Sequence, residues 1–272
     1  MADDVSDIRT FYDRNVGREQ GRLERHGIER DVTWRYLDRY LPPSGRILDI
    51  GAAAGAYTIP LAQRGYSVTA VDLSPALIQE CGKRARNAKL GKKVTCLVAD
   101  ARDLSGVKDN DFDAVLLLGP LYHLVLEADR QTALKEAFGK LGRGGIVFSS
   151  FISRYGIWGD IMHKYPQHIE EHADDMKSIL DKGTENQLPA WDARFRAYFA
   201  TPAEIIPLHE RLGFKTLALV GVEPVGVGTD EAYKNLTESQ RRQWLDLMFT
   251  ISTEISIIGA SCHLLYIGEK AS

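Results

Sequence analysis

Carboxylates and glycines follow one another at fixed spacing in the first half of the chain. Gly51 and Gly55 come directly after the apolar run 47–50, and Asp72 ends the alternating segment 67–72, 21 positions beyond Gly51. A glycine at a strand end lets the chain turn sharply and lets a ligand approach the backbone. A carboxylate at the end of the next strand can accept hydrogen bonds from a ribose hydroxyl pair. The spacing therefore predicts a βαβ unit that binds a nucleoside-bearing cofactor.

Alternating strands and helices must position these groups. Apolar and alternating segments predict strands at 47–50, 67–71, 93–98, 112–118, 145–151, 214–222 and 261–268. Helical patterns lie between them at 56–64, 75–88, 129–141 and 202–212. Alternation of elements of this length indicates a parallel, doubly wound α/β sheet.

The remaining segments divide the chain into four parts. Residues 1–41 form an N-terminal helical segment, residues 42–151 the cofactor-binding core, and residues 152–200 a lid insertion without a strand candidate. Residues 201–272 complete the core and contain a second helical insertion at 223–259. Long insertions near the end of an open α/β sheet are suited to covering the ligand crevice. The first insertion is aromatic, with Tyr155, Trp158, Tyr165, Trp191, Phe195, Tyr198 and Phe199 available to enclose an acceptor or to form the core of the lid.

Composition narrows the class of partner and compartment. The 34 Lys and Arg residues against 37 Asp and Glu residues give a net charge of −3, so no polyanion-binding surface and no nucleic-acid partner are expected. The three cysteines include no C-x-x-C pair, which favours a reducing compartment. The N-terminus lacks a secretory pattern, and no apolar run is long enough to span a bilayer. We expect a cytoplasmic protein without a membrane partner.

Four strand ends together resemble those of the class I S-adenosylmethionine-dependent methyltransferases. The ends are Asp49-x-Gly51, Asp72, Asp100 and Leu118-Gly119-Pro120. The resemblance covers residues 40–150 well and the strands at 214–222 and 261–268 more loosely. It implies a Rossmann-like, doubly wound, seven-stranded and mostly parallel α/β sheet with N-terminal helices and a helical lid. It also implies S-adenosyl-L-methionine as the cofactor.

The resemblance assigns a cofactor role to several residues of this chain. The loop from Gly51 to Gly55 would lie beneath the methionine and ribose parts. The middle glycine of the family is Ala53 here, which is tolerable if its φ stays negative. In the N-terminal segment, Tyr12 with its neighbour Phe11 would close over the cofactor.

The other strand ends have roles implied by the same resemblance. Asp72 would bind the ribose hydroxyls, and Leu73 would pack on the adenine. Asp100, with its neighbour Ala101, would receive the adenine amino group. The backbone near Leu118 would approach the methionine ammonium group.

A dinucleotide cofactor is a remote alternative. A pyrophosphate site needs G-x-G-x-x-G, so that the backbone and a helix N-terminus can hold the phosphates. The chain offers Gly51-x-Ala53-x-x-Ala56 instead, and an NAD-dependent dehydrogenase would leave Asp100 without a role.

The segment after the fourth strand bears on the acceptor. Enzymes that methylate the exocyclic amines of nucleic acids often carry Asn or Asp there, followed by two prolines and an aromatic residue, whereas this chain has Gly119-Pro120-Leu121-Tyr122-His123. A small-molecule acceptor is therefore expected, with N-methylation favoured and O-, S- or C-methylation of a natural product left open. Histidine side chains ordinarily titrate near neutrality, so His123 could remove a proton, or it could be structural. Tyr122 is expected to form a pocket wall. A non-catalytic module that binds the cofactor is the alternative class.

A metal site is not expected from the sequence. His168 and His172 are spaced i, i+4, as in helical zinc sites. The residues between them do not follow H-E-x-x-H, and no third ligand lies at a telling spacing. A charged, solvated helix is the interpretation that we adopt for this segment.

Overall fold

The computed structural model describes residues 2–21, 25–188, 195–224 and 228–271. The strands of this part of the chain are β1 (Arg46–Ile50), β2 (Ser67–Asp72), β3 (Val94–Val98), β4 (Phe112–Leu117), β5 (Leu141–Ser153), β6 (Thr184–Leu188), β7 (Phe195–Ala200), β8 (Phe214–Gly221) and β9 (His263–Lys270). The helices before β6 are α1 (Ser6–Arg14), α2 (Val16–Gln20), α3 (Gly27–Tyr40), α4 (Thr58–Gln63), α5 (Pro75–Asn87), α6 (Pro120–His123), α7 (Glu127–Lys140), α8 (Ile157–Lys164), α9 (His168–Glu171) and α10 (Ala173–Lys182). Those after it are α11 (Pro202–Glu210), α12 (Asp230–Lys234), α13 (Glu238–Ile251) and α14 (Ile255–Ala260).

The central sheet has the strand order β3-β2-β1-β4-β5-β9-β8. Strands β1 to β5 are all parallel to one another. Strand β9 lies between β5 and β8 and runs antiparallel to both. The predicted mostly parallel Rossmann-like sheet is thus confirmed; these seven strands correspond to the predicted ones, and β7 and β6 extend the sheet to nine strands among the described residues. The chain order reverses between β1 and β4, which lie side by side. In open α/β sheets, such a reversal opens a crevice at the carboxyl ends of the strands, where ligands bind.

The apolar strand β4 shows why the sheet is stable with both faces covered. Ala114 and Leu116 belong to the core cluster on one face, whereas Val115 and Leu117 belong to the cluster on the other. All four residues are fully buried. A continuous apolar run is typical of such a strand, because alternate side chains enter opposite cores.

The prediction that residues 152–200 contain no strand was wrong. This segment begins with three helices, as expected for a lid, but ends with β6 and β7. Strand β7 pairs in parallel with the end of β5, through Ile152↔Phe199 and Ser153↔Ala200, and β6 pairs antiparallel with β7. Strand β5 continues to Ser153, two residues past its predicted end, and this extension supplies the edge for β7. Trp191 lies outside the described residues.

Two long helical predictions are each divided in the structure. Apolar residues near helical spacing predict a helical stretch from Arg18 to Leu41, where the described residues contain the end of α2 and α3, and another from Thr237 to Ile257, which contains α13 and the start of α14. Glu254 interrupts the second stretch with extended backbone angles. Within the part of the chain that the structure describes, every helix is too short or too polar to span a membrane.

Candidate functional site

The loop between β1 and α4 forms a tight turn at the strand end. The backbone N–H groups of Gly51 and Ala52 both donate to the carbonyl of Val71, at 2.8 and 3.0 Å. Gly51 has a φ of +78°, and a Cβ at this position would lie 2.6 Å from Cδ of Pro120. Because both the backbone angle and the close approach exclude a side chain, glycine is required here.

Ala53 adopts a backbone angle that was not expected. Its φ is +48°, so the condition under which alanine would be tolerable here, a negative φ, is not met. The cause is a specific hydrogen bond: the N–H of Ala53 donates to Oδ2 of Asp72 at 2.8 Å. This bond aims the amide of the loop at the end of β2, and the left-handed conformation that results is costly for a residue with a Cβ.

Asp72 joins the loop to the start of the next helix. Its Oδ1 accepts from the N–H of Ser74 at 2.8 Å, and the Ser74 hydroxyl oxygen accepts from the N–H of Leu77 at the start of α5. Asp72 is only 8% exposed. Burial raises its pKa to about 6, the two backbone donors oppose this shift, and the neighbouring carboxylates of Glu19 and Asp13 add to it.

A second buried carboxylate lies at the end of β1. Asp49 is 2% exposed and accepts a hydrogen bond from the hydroxyl of Thr58 at 2.6 Å. Burial raises its pKa to about 6 as well. Two carboxylates that are removed from water favour a cationic or hydrogen-bond-donating ligand, which would stabilise their ionised forms.

Asp100 is already engaged by a neighbouring side chain. The guanidinium of Arg102 binds the Asp100 carboxylate through Nε and Nη2, with the shortest distance 2.7 Å. The same guanidinium donates to Asp129 at 2.9 Å and to the carbonyl of Asp3 at 2.8 Å. Arg102 therefore fastens the first residues of the chain to the end of β3.

These strand ends and the N-terminal helices surround one cleft. Of the predicted site residues, the cleft is lined by Tyr12, Gly51, Ala53, Asp72, Leu73, Asp100, Ala101, Leu118, Tyr122 and His123. Gly55 is not among the lining residues, since it packs beneath the loop against Cys81. Sequence reasoning missed the lining residues Val5, Ile8, Glu19 and Tyr57. For Val5 and Ile8 the available signal was their spacing of three residues at the start of an amphipathic helix.

Tyr12 and His123 lie together in the cleft. The Tyr12 hydroxyl is 2.7 Å from Nε2 of His123, and the two rings meet edge to face with centroids 5.4 Å apart. Nδ1 of His123 is 3.4 Å from the carbonyl oxygen of Arg196. A carbonyl can only accept, so this arrangement places the proton on Nδ1 and directs the Tyr12 hydroxyl to donate to Nε2.

Arg196 of β7 fastens the N-terminal helix over the cleft. Its guanidinium donates to both carboxylate oxygens of Asp7 at 2.8 Å, to the Asp3 carboxylate, and to the carbonyl of Asp4. Two parallel N–H···O bonds to one carboxylate fix orientation as well as distance. The clamp therefore couples the lid insertion to the helix that carries Tyr12.

The described aromatic residues of the lid do not line this cleft. Phe199 is buried in a small core with Ile161 and Ile179, and Trp158 packs against that core. Tyr155 is 53% exposed. Of the two roles considered for these rings, the described ones therefore serve mainly as lid core.

Comparisons with known proteins agree with this architecture. Residues 48–149 match the family described as a methyltransferase domain. The tRNA 5-carboxymethoxyuridine methyltransferase of Escherichia coli K12 is 25% identical over 79% of this chain and 77% of that protein. A ubiquinone biosynthesis O-methyltransferase of Xanthomonas axonopodis is 31% identical over 45% of this chain, and the match spans only half of that relative. Magnesium protoporphyrin IX methyltransferase from Synechocystis, solved with bound S-adenosylhomocysteine, aligns over 98% of this chain and all of its own, with a TM-score of 0.60 and 16% identity.

Residues 48–149 thus carry a methyltransferase domain, and the fold of the chain is that of the class I S-adenosylmethionine-dependent methyltransferases. The chain is an enzyme of that class, and S-adenosylmethionine is its cofactor.

Replacing Ala53 with glycine is expected to stabilise the fold. Ala53→Gly removes the Cβ from a left-handed residue and should raise the free energy of unfolding by about 1 kcal/mol. The matched control is Ala54→Gly in the same loop: Ala54 is 2% exposed and has no positive φ, so this change should destabilise by about 1 kcal/mol. Urea denaturation measures both, and a loss of stability in Ala53→Gly would contradict the assigned backbone conformation.

Proposed function

We propose that the protein transfers a methyl group from S-adenosylmethionine to a small, neutral or cationic acceptor, with a nitrogen nucleophile favoured. The hydrogen bond between the Tyr12 hydroxyl and Nε2 of His123 is the observation that supports the catalytic part of this proposal. The acidic side chains that line the cleft support the part of the proposal that concerns the charge of the acceptor.

The residues present suit the cofactor. S-adenosylmethionine carries a sulfonium and an ammonium group, and it supplies an electrophilic methyl group when bound. The carboxylates of Asp49, Asp72 and Asp100, at the ends of β1, β2 and β3, are available to bind its cationic and hydrogen-bond-donating groups. Leu73 and Leu118 offer apolar surface for the adenine and the methionine chain. In this proposal Asp72 accepts from the ribose hydroxyls with the lone pairs that its two backbone donors leave available.

The acceptor must lose a proton when a neutral amine or hydroxyl is methylated. Nε2 of His123 already accepts from Tyr12, so the atom that receives this proton is the Tyr12 hydroxyl oxygen. Tyr12 passes its own proton to Nε2 of His123 in the same step, and the Arg196 carbonyl holds the imidazole through Nδ1. His123 therefore acts as the base through Tyr12, which places both residues of the dyad in the mechanism.

The electrostatics of the cleft favour a neutral or cationic acceptor. Glu19, Asp49, Asp72 and Asp100 line it, and no Lys or Arg is among the described lining residues. A carboxylate or phosphate acceptor would therefore meet like charge without a cationic partner from these residues. The net charge of −3 points in the same direction.

Two rival acceptors are supported by relatives rather than by the geometry. One relative is named as an enzyme of a modified tRNA uridine, and another as an O-methyltransferase of ubiquinone biosynthesis. An oxygen nucleophile can use the same Tyr12–His123 dyad, so O-methylation is the second candidate function.

Cofactor binding should depend on pH because Asp72 must be ionised to accept from the ribose. With a pKa of about 6, roughly one tenth of Asp72 is ionised at pH 5, so affinity for S-adenosylhomocysteine should rise about tenfold between pH 5 and pH 7.5. The stability of the unliganded protein should change with pH in the opposite direction to the cofactor affinity. A raised carboxyl pKa makes ionisation costly in the folded state, so this contribution to stability falls as pH rises from about 4 to 6.

Titration calorimetry on the wild type and Asp72→Asn tests this dependence. The variant should bind more weakly at pH 7.5 and should show a flatter affinity profile between pH 5 and 7.5. Asp38→Asn, at an exposed carboxylate outside the cleft lining, is the control and should bind like the wild type. An unchanged profile in Asp72→Asn would remove Asp72 from the cofactor contact.

Removing the Tyr12 hydroxyl should slow the chemical step. Tyr12→Phe keeps the ring against His123 but deletes the atom that receives the proton, so kcat should fall by roughly a hundredfold or more. The KM for the cofactor should change little, because the ring still covers the cleft. Tyr155→Phe on the exposed lid surface is the matched control. A Tyr12→Phe enzyme with wild-type kcat, or with a defect in cofactor KM alone, would contradict the dyad.

The acceptor class is testable with methyl-labelled S-adenosylmethionine. We expect label to enter a small-molecule extract and not total tRNA incubated in parallel. Labelled tRNA would overturn the small-molecule proposal, whereas tight cofactor binding with no product in either pool would favour the non-catalytic module. Mass spectrometry of the labelled product then distinguishes N- from O-methylation.

A further inference from the structure

Two histidines and three carboxylates that do not line the cofactor cleft converge beyond the end of β8. We call His26, Glu29, Glu223, Asp230 and His263 the histidine–carboxylate cluster. They come from four separate parts of the chain: the start of α3, the end of β8, the start of α12 and the start of β9. The proximity is therefore a product of the tertiary fold rather than of one polar helix face.

Backbone hydrogen bonds fix the two central members. The N–H of Val222 donates to the carbonyl of His263, and the N–H of Glu223 donates to the Ser261 hydroxyl. That hydroxyl in turn donates to the His263 carbonyl. Glu223 and His263 are thus held side by side by the pairing of β8 with β9.

The ligand-capable atoms form two overlapping groups, His26–Glu29–Glu223 and Glu223–Cys262–His263, and within each group they lie within 4.8 Å of one another. Nδ1 of His263 lies 2.5 Å from Oε2 of Glu223 and 3.9 Å from Oε2 of Glu29. Nδ1 of His26 lies 4.0 Å from Oε1 of Glu223. Around a tetrahedral zinc ion with bonds of roughly 2.1 Å, neighbouring ligand atoms are about 3.4 Å apart. The observed separations lie on both sides of this value, so small side-chain rotations suffice.

The cluster is also buried and acidic. The side chains of Glu29 and Glu223 are each 9% exposed and that of His263 is 13% exposed. Asp230, 3.5 Å from His26, has a buried Oδ1 without a hydrogen-bond partner among the described residues. Buried charges are normally paired or bound to metal, and Glu223 faces both imidazoles, those of His26 and His263.

We propose that this cluster binds a divalent transition-metal cation of the zinc class, with His26, Glu29 and Glu223 as ligands and His263 hydrogen-bonded to Glu223 beside them. Imidazole nitrogen combined with carboxylate oxygen is a ligand set that zinc accepts and that magnesium does not prefer. Asp230 lies beside His26, with Oδ2 3.5 Å from the Nδ1 atom. The buried thiol of Cys262 belongs to the second group, with Glu223 and His263, and is not assigned as a ligand of this ion.

The proposed ion would brace the cofactor cleft from outside. His26 directly precedes α3, and the α1 and α2 helices that contribute Tyr12 and Glu19 to the cleft come before it in the chain. A metal bound to His26 and to the β8–β9 pair would tie that N-terminal segment to the sheet. Its role is structural, because none of its ligands is among the residues that line the cleft.

A metal-free ion pair is the competing interpretation of the same residues. Burial opposes a charge on His263, but the carboxylates of Glu29 and Glu223 outweigh it and raise the pKa of His263 well above its ordinary value. In that case a protonated His263 would close the cluster, and no metal would be taken up.

Metal content and thermal stability distinguish a bound metal ion from a metal-free ion pair. The full-length protein is treated with a chelator, dialysed, and reloaded with Zn²⁺ or Mg²⁺; bound metal is counted by mass spectrometry and Tm is measured. We expect about one zinc per chain and a Tm increase of about 5 °C at saturating Zn²⁺, with no shift in Mg²⁺. Zinc below about a tenth of an equivalent, or an equal Tm shift in Mg²⁺, would overturn the proposal.

Three variants locate the ion. His26→Ala changes a partly exposed side chain, and Glu223→Gln preserves size, so both can be compared as folded proteins after circular dichroism. Each should lose the bound zinc and the Tm increase. His172→Ala, in a histidine pair of the lid, is the matched control and should bind zinc like the wild type. Full zinc binding in both His26→Ala and Glu223→Gln would contradict the assigned ligands.

Discussion

The geometry of the cleft depends on the contact between the Asp72 carboxylate and two backbone amides. One oxygen accepts from Ala53 in the loop after β1, and the other accepts from Ser74 before α5. The loop and the helix start are thereby held at a fixed distance from the end of β2. The cost is visible in two places: Asp72 has a pKa raised to about 6 by burial, and Ala53 adopts a left-handed φ. A cationic cofactor offsets the first of these costs.

The side of the cleft that we propose to bind the cofactor and the side that we propose to receive the acceptor are built differently. The first consists of consecutive strand ends, so its composition follows from the sheet topology. The second is assembled from α1, α6 and β7, with Tyr12, His123 and the Arg196 backbone meeting across the chain. Arg196 also clamps the Asp7 carboxylate, so one residue of the lid insertion contacts both the proposed base and the helix that covers it.

Sequence patterns predicted what lies at strand ends and missed what depends on distant contacts. The spacing of Gly51 and Asp72 was informative because parallel strands bring their carboxyl ends to one edge. The φ of Ala53 could not be predicted, since it follows from a hydrogen bond to a residue 19 positions away. Strand β7 was missed because its partner is an extension of β5 beyond the predicted end. The Tyr12–His123 contact joins residues 111 positions apart, and no periodicity encodes it.

A crystal structure with S-adenosylhomocysteine tests the proposed arrangement most directly. We predict that the ribose hydroxyls lie within hydrogen-bond distance of Asp72 and that the sulfur faces the part of the cleft lined by Tyr12 and His123. Retention of the Tyr12–His123 hydrogen bond in that complex would support the dyad. A ribose bound away from Asp72, or a sulfur shielded from Tyr12 by the protein, would contradict both the cofactor assignment and the proposed proton path.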